Sequence, residues 1–194
     1  MSGWEIAGFA AGAVSVLLYV RQSVWAWPVG LINSACWLVL FWSSRLYLNA
    51  GLQVLYIGLG VVGWYWWARG RDGGGDLAVS RTPRALGLGL LGLAVVATLG
   101  LWWAMAAVGD ASPFLDAATA VVSLVAQYML TRKLIENWWL WIAVDVVYLF
   151  MYSSQQLYLT AALQIGFIAL CVAGVRQWRA SLNTNISIEP VAVT

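Results

Sequence analysis

Seven long apolar stretches follow one another along the chain, at about 4–20, 24–42, 47–67, 85–108, 114–130, 137–153 and 157–175, separated by short polar segments. Each approaches the ~20 residues that a helix needs to cross the hydrocarbon of a bilayer. The runs are too long for barrel strands and show no sustained alternation of apolar and polar positions. The pattern therefore predicts seven transmembrane helices. Pro28 stands near the start of the second, where its missing amide costs little. The first stretch has no basic start and reads as a span rather than a cleaved leader.

The two ends of the chain match each other at a constant separation of 111 residues. Leu46-Tyr47-Leu48-Asn49-Ala50-Gly51-Leu52-Gln53 is answered by Leu157-Tyr158-Leu159-Thr160-Ala161-Ala162-Leu163-Gln164. The same separation carries Trp27 onto Trp138, Ile57 onto Ile168, Gly63 onto Gly174 and Trp67 onto Trp178. Spans two and three thus pair with six and seven, and the first pairs with the fifth by position. Three crossings leave the chain on the wrong side to begin a second copy in the same orientation, and one extra crossing restores it. The expectation is two parallel three-helix repeats joined by a connector helix. Its parts are a first repeat at 1–67, a flexible cytoplasmic linker at 68–84, the connector with its following loop at 85–113, a second repeat at 114–178 and a peripheral or disordered tail at 179–194.

Composition and charge sharpen this picture. The chain is 62% hydrophobic and only 9% charged, whereas soluble domains carry charge on roughly a quarter of their residues. Every basic residue except Arg45 falls on the side that receives the ends of spans one, three, five and seven. That asymmetry places the N-terminus outside and the C-terminus in the cytoplasm. A net charge of +2 spread over loops gives no nucleic-acid interface. With no histidine and two isolated cysteines, Cys36 and Cys171, neither a metal site nor a disulfide is expected, and no cofactor. Gly87-Leu-Gly89-Leu-Leu-Gly92 lacks the strand that a dinucleotide site requires, so close helix packing or a kink is the simpler reading.

Polar residues inside the hydrocarbon must find partners and are the best pointers to a site. Asn33 lies mid-span in the second helix, one turn before Trp37. Gln53 and Gln164 occupy equivalent positions in the third and seventh, and Gln127 sits in the fifth. In the sixth, Asn137, Trp141, Asp145 and Tyr148 follow the spacing that shares one helix face. Facing inward, such a stripe suits a flat polar ring, charged or neutral, with aromatic faces to stack on it and amides to orient it. An isolated carboxylate in hydrocarbon costs at least ~2.5 kcal/mol. Asp145 is accommodated by protonation, by pairing inside the bundle or by a cationic substrate. The plainer reading of Trp25, Trp27, Trp66, Trp67, Trp102, Trp103, Trp138 and Trp139 is a membrane-interface belt. A small-molecule transporter, not an enzyme, is expected. The alternative of a seven-helix sensor or scaffold lacks signalling loops, and a retinal-type sensor lacks its lysine in 157–175.

The string Trp25-Ala-Trp27-Pro28-Val-Gly30-Leu-Ile-Asn33, with Leu46-Tyr47, Leu52-Gln53 and Gly63-Trp64-Tyr65-Trp66, resembles the PnuC family of bacterial vitamin transporters. So does Gln127-Tyr-Met-Leu-Thr-Arg-Lys133, followed by Glu136-Asn137-Trp138-Trp139-Leu-Trp141-Ile-Ala-Val-Asp145, Tyr158, Gln164, Gly174 and Trp178. The likeness covers about 20–70 and 115–178. It implies an all-α, SWEET-like 3+1+3 architecture in the bacterial inner membrane. It further implies import of nicotinamide riboside by facilitated diffusion, trapping by a cytoplasmic kinase and assembly as a homotrimer. Relatives that carry thiamine or riboflavin make those vitamins the alternatives. The family site lies between the two repeats, a role that falls here on Asn33, Trp37, Gln53, Gln127, Asn137, Trp141, Asp145 and Gln164, with Tyr148 on the same stripe. The spans hold no phosphate-binding cluster, which favours the nucleoside over the mononucleotide.

Overall fold

The computed structural model describes residues 3–69, 77–109 and 112–188. Among these the chain forms seven helices: α1 (Gly3–Val20), α2 (Ala26–Ser43), α3 (Tyr47–Arg69), α4 (Arg84–Ala107), α5 (Pro113–Thr131), α6 (Asn137–Ser154) and α7 (Tyr158–Ile188). Five of them, α2, α3, α4, α5 and α7, are long and apolar enough to cross a membrane. The protein is an all-α, multi-span membrane protein.

Six helices close into a ring. Helix α1 packs on α2 and α2 on α3, α5 packs on α6 and α6 on α7, and the ring is completed where α3 meets α5 and α7 meets α1. The fourth helix stands outside and packs on α5. Among the described residues, and apart from its own helix backbone and chain neighbours, nothing lies within 4 Å of a Cβ built on its Gly89 or Gly92. The expectation that these glycines serve close packing is therefore not met inside this chain.

Tight turns set how the helices meet. Four helices end with a non-glycine residue in the left-handed region: Gln22 (φ 55°), Arg45 (φ 62°), Lys133 (φ 50°) and Gln156 (φ 61°). Each such residue costs roughly 1–2 kcal/mol, offset by satisfied helix-end carbonyls. After α2, Leu46 N–H reaches Phe41 O at 2.8 Å, and after α6, Leu157 N–H reaches Tyr152 O at 2.9 Å. After α1 and α5 the equivalent bonds, Ser23 to Leu18 and Leu134 to Met129, are both 3.0 Å. These turns also stand 111 residues apart in pairs.

Side-chain packing repeats at the same interval. The ring of Trp27 fills the place where a side chain at Gly63 would stand, and that of Trp138 does the same at Gly174. Trp67 on α3 donates its indole N–H to Thr131 O on α5 at 3.2 Å. Trp178 on α7 donates to Tyr19 O on α1 at 3.1 Å. Trp27, Trp67, Trp138 and Trp178 are each at most 2% exposed, and they join the centre of the apolar core. For Trp27, Trp67 and Trp138 this replaces the interface-belt reading; Trp25, Trp102, Trp103 and Trp139 are exposed and fit it.

Two segments depart from expectation. The last helix does not stop near 178 but runs to Ile188, with Leu182 buried and Gln22 Nε2 donating to Ser181 Oγ at 2.8 Å. Of the linker expected to be flexible, Gly73-Gly74-Gly75 lies outside the described residues. Residues 77–83 are docked: Val79 is buried, and Ser80 exchanges backbone bonds with Lys133 O (3.1 Å) and Ile135 N (3.0 Å). Composition suggested a loose tether, but Leu77 and Val79 supply the apolar contacts that fasten it.

Candidate functional site

The helix ring encloses a cavity of about 450 Å³. Local sequence explains the room: Gly8 and Gly12, one turn apart on α1, leave space that bulkier residues would fill. A Cβ at Gly8 would lie 3.0 Å from Trp37 Nε1, and one at Gly12 would lie 3.4 Å from Asn33 Oδ1. Gly30 gives the same room to the Tyr19 hydroxyl.

One end of the cavity, at the arginine-rich face of the bundle, is floored by Trp27, Trp138 and Tyr19. Tyr19 and Trp27 meet edge to face at 5.0 Å, and Trp138 meets Trp178 at 5.3 Å. Toward the other end stand two stacked pairs, Trp37 with Phe41 (5.5 Å, 25° between planes) and Tyr148 with Tyr152 (5.8 Å, 24°). These pairs occupy positions 111 apart.

Between floor and mouth the walls carry polar groups. The Oδ1 atom of Asn33 is buried without a hydrogen-bond partner among the described residues. Gln53 and Gln164 line the wall from α3 and α7, and Gln127 from α5, where it reaches the Tyr19 hydroxyl. The hydroxyl of Tyr56 donates to Ser123 Oγ, tying α3 to α5 beside the cavity. From α6 come Trp141, Asp145 and Tyr148. Asp145 is 9% exposed, and its carboxylate accepts a long bond from the Cys171 thiol at 3.8 Å.

All the residues singled out from sequence line this cavity except Asn137. Asn137 is fully buried at the first turn of α6 and donates its Nδ2 to Leu134 O at 2.6 Å, bracing the α5–α6 turn. Four residues of spacing put it on the Trp141 face, but its height puts it below the floor. Sequence reasoning missed Tyr19, Tyr56, Phe9, Phe41, Tyr152, Ser34 and Cys171, which also line the cavity. The signal for the α1 wall was the Gly8-x-x-x-Gly12 spacing. Ser34 could have been found as the position equivalent to Asp145.

Chemically the cavity offers flat faces, amide donors and acceptors and one carboxylate. Among the described residues lining it there is no lysine or arginine. No cluster of His, Cys, Asp and Glu suited to a metal ion occurs among the described residues.

Comparison with known proteins agrees with this architecture. Over residues 2–180 the chain matches the nicotinamide mononucleotide transporter family model. It is 27% identical over 205 residues to the nicotinamide riboside transporter PnuC of Escherichia coli (strain K12), covering 92% of this chain and 85% of that one. It is 28% identical over 180 residues to the riboflavin/roseoflavin transporter RibM of Streptomyces davaonensis, covering 90% and 83%. The crystal structure of the vitamin B3 transporter PnuC has the same fold, with a TM-score of 0.74 at 20% identity over 92% of this chain and 81% of that one. The helix ring, its central cavity and the match along almost the whole chain lead to one assignment: the protein belongs to the nicotinamide mononucleotide transporter family.

Proposed function

We propose that this protein carries nicotinamide riboside across the bacterial inner membrane by facilitated diffusion, through the cavity at the centre of the helix ring. The observation that carries the substrate is the α6 wall, where Trp141 and Asp145 stand together in a cavity whose described lining has no basic residue. A cationic pyridinium gains from an aromatic face and from a nearby carboxylate. A phosphate would meet that carboxylate with no arginine or lysine to hold it. The nucleoside is thus favoured over the mononucleotide of the family's name.

The carrier consists of two parallel repeats, α1–α3 and α5–α7, with α4 as connector. Support comes from turns, stacked pairs and tryptophan–glycine packing that recur 111 residues apart. The arginine-rich end is cytoplasmic, as the distribution of basic residues favours. Asn33, Trp37, Gln53, Gln127, Trp141, Asp145, Tyr148 and Gln164 contact the substrate. A cytoplasmic kinase traps the product, and the exposed apolar side of α4 is available to neighbours in a homotrimer.

Riboflavin is the second reading, favoured by the 28% identity to RibM. Purified protein tested for thermal stabilisation by nicotinamide riboside, nicotinamide mononucleotide, thiamine and riboflavin separates these readings; the first ligand should stabilise most. In proteoliposomes, labelled nicotinamide riboside should equilibrate with its gradient and go no further. Accumulation driven by a proton or sodium gradient overturns the passive mechanism.

A further inference from the structure

The ring has two seams, α3 against α5 and α7 against α1, which are equivalent under the 111-residue relationship but differently fastened. We propose that they have different jobs: the α3/α5 seam is a fixed hinge, and the cytoplasmic end opens by parting α7 from α1. The inference rests on the carrier reading, though not on which vitamin is carried.

The two seams share one bond each, the indole donations of Trp67 to Thr131 O and of Trp178 to Tyr19 O. Two further contacts differ. Beside the cavity, Tyr56 on α3 donates to Ser123 on α5. The equivalent positions across the other seam are Phe167 and Gly12, which have no hydroxyl to exchange. At the cytoplasmic end, Lys133 places its ammonium 4.5 Å over the Trp67 ring, an attraction of cation to aromatic face. Its equivalent is the uncharged Gln22.

The docked segment 77–83 stiffens the α5 side of the first seam, with no counterpart at the second among the described residues. Ser80 pairs with the α5–α6 turn through two backbone bonds. Thr82 donates both its amide (2.9 Å) and its hydroxyl (2.7 Å) to Glu136 Oε2. Bonds to a carboxylate are stronger than those between neutral groups, and Val79 buries an apolar side chain beneath them. The segment leads into α4, which packs on α5. Strap, α4, α5 and the α5–α6 turn therefore form one block, and α3 is joined to that block through Ser123 and Lys133. At the other seam the corresponding α1–α2 turn is met by the extension of α7, through the neutral bond of Gln22 to Ser181. Gln22 and Ser181 are both partly solvent-accessible, where water replaces a lost neutral bond at little cost. An alternating-access carrier must open one end while keeping its halves joined, and the chemistry of these seams says which join holds.

The experiment locks each seam separately. Cysteines replace Gln22 and Ser181 in one variant (Q22C/S181C) and, across the other seam, Arg69 at the end of α3 and Arg132 at the end of α5 in another (R69C/R132C), and a reducible bis-thiosulfonate of matching length bridges each pair. Bridging is confirmed by mass, with the parent chain treated identically to account for Cys36 and Cys171. Uptake of labelled nicotinamide riboside into proteoliposomes should stop when the first pair is bridged and return on reduction. It should persist when the second is bridged. Loss of uptake on bridging the second pair, or persistence on bridging the first, overturns the proposal. If neither unbridged variant carries nicotinamide riboside, the substrate reading is at fault, and distances decide the seam question without a substrate. Spin labels at Arg21 and Arg179, and separately at Arg69 and Arg132, leave the strap contacts in place. Two populated distances are expected across the first pair and one across the second; the reverse, or equal behaviour, overturns the asymmetry.

Discussion

The ring of Trp27 occupies the volume that a side chain at Gly63 would need. Both residues are buried, the indole completely, so neither can retreat. Gly63→Ala should lower thermal stability in detergent, since overpacking of a tight core costs about 1–3 kcal/mol or more. Gly174→Ala, pressed by Trp138, should behave alike. Gly89→Ala on the open face of α4 has nothing within 4 Å and should hold or gain stability, by up to ~1 kcal/mol from helix propensity. Equal melting temperatures for all three would remove the packing argument.

Trp141 lines the cavity, whereas Trp139, two residues earlier, is 54% exposed. Trp141→Ala should weaken ligand binding by about five- to 150-fold, the ~1–3 kcal/mol that one ring stacking on an aromatic contributes. Trp139→Ala should leave affinity unchanged. The comparison is made by calorimetry on purified protein with unaltered elution profiles; matched affinities would place the wrong face of α6 toward the ligand.

Asp145 supplies the carboxylate of the cavity wall. Asp145→Asn keeps the shape and removes the charge. Binding of cationic nicotinamide riboside should fall by at least about tenfold, or ~1.4 kcal/mol, while binding of its uncharged reduced form should change little. Parallel losses for both ligands would assign Asp145 a structural task.

Asn137 gives the opposite expectation. It braces Leu134 O below the floor, so Asn137→Ala should reduce thermal stability by about 1 kcal/mol, the contribution of one hydrogen bond, Leu134 O keeping its bond from the Asn137 backbone amide. Affinity in the folded fraction should be that of the parent. A selective loss of binding with normal stability would return Asn137 to the site.

The parts of the fold that depend on local chemistry were legible in the chain. Apolar runs located the seven helices, and the recurrence of Trp27 and Gly63 as Trp138 and Gly174 marked a packing unit before any geometry was known. Helix spacing brought Trp141, Asp145 and Tyr148 to the cavity but not Asn137, because a shared face says nothing about depth, and the floor of Trp27, Trp138 and Tyr19 lies between. Trp27, Trp67 and Trp138 read as belt residues because a single position on a helix does not reveal whether it faces lipid or another helix; Trp67 is buried by α5, far away in sequence. The strap was missed for a related reason. Its docking depends on Lys133, Ile135 and Glu136, and no property of residues 77–83 alone announces that pairing.

The bond from Trp178 to Tyr19 joins the last helix to the first, and this bears on how the chain is made. While synthesis proceeds, α1, α2 and α3 enter the membrane as an open arc, with the side of α1 that meets α7 uncovered. That side acquires its protein neighbour only when α7 enters. Five of the helices are long and apolar enough to insert on their own account, but the ring closes only once α7 is in place. A chain cut short within α7 would be left as an incomplete circle, and the membrane's quality-control proteases would meet it with its interior face uncovered.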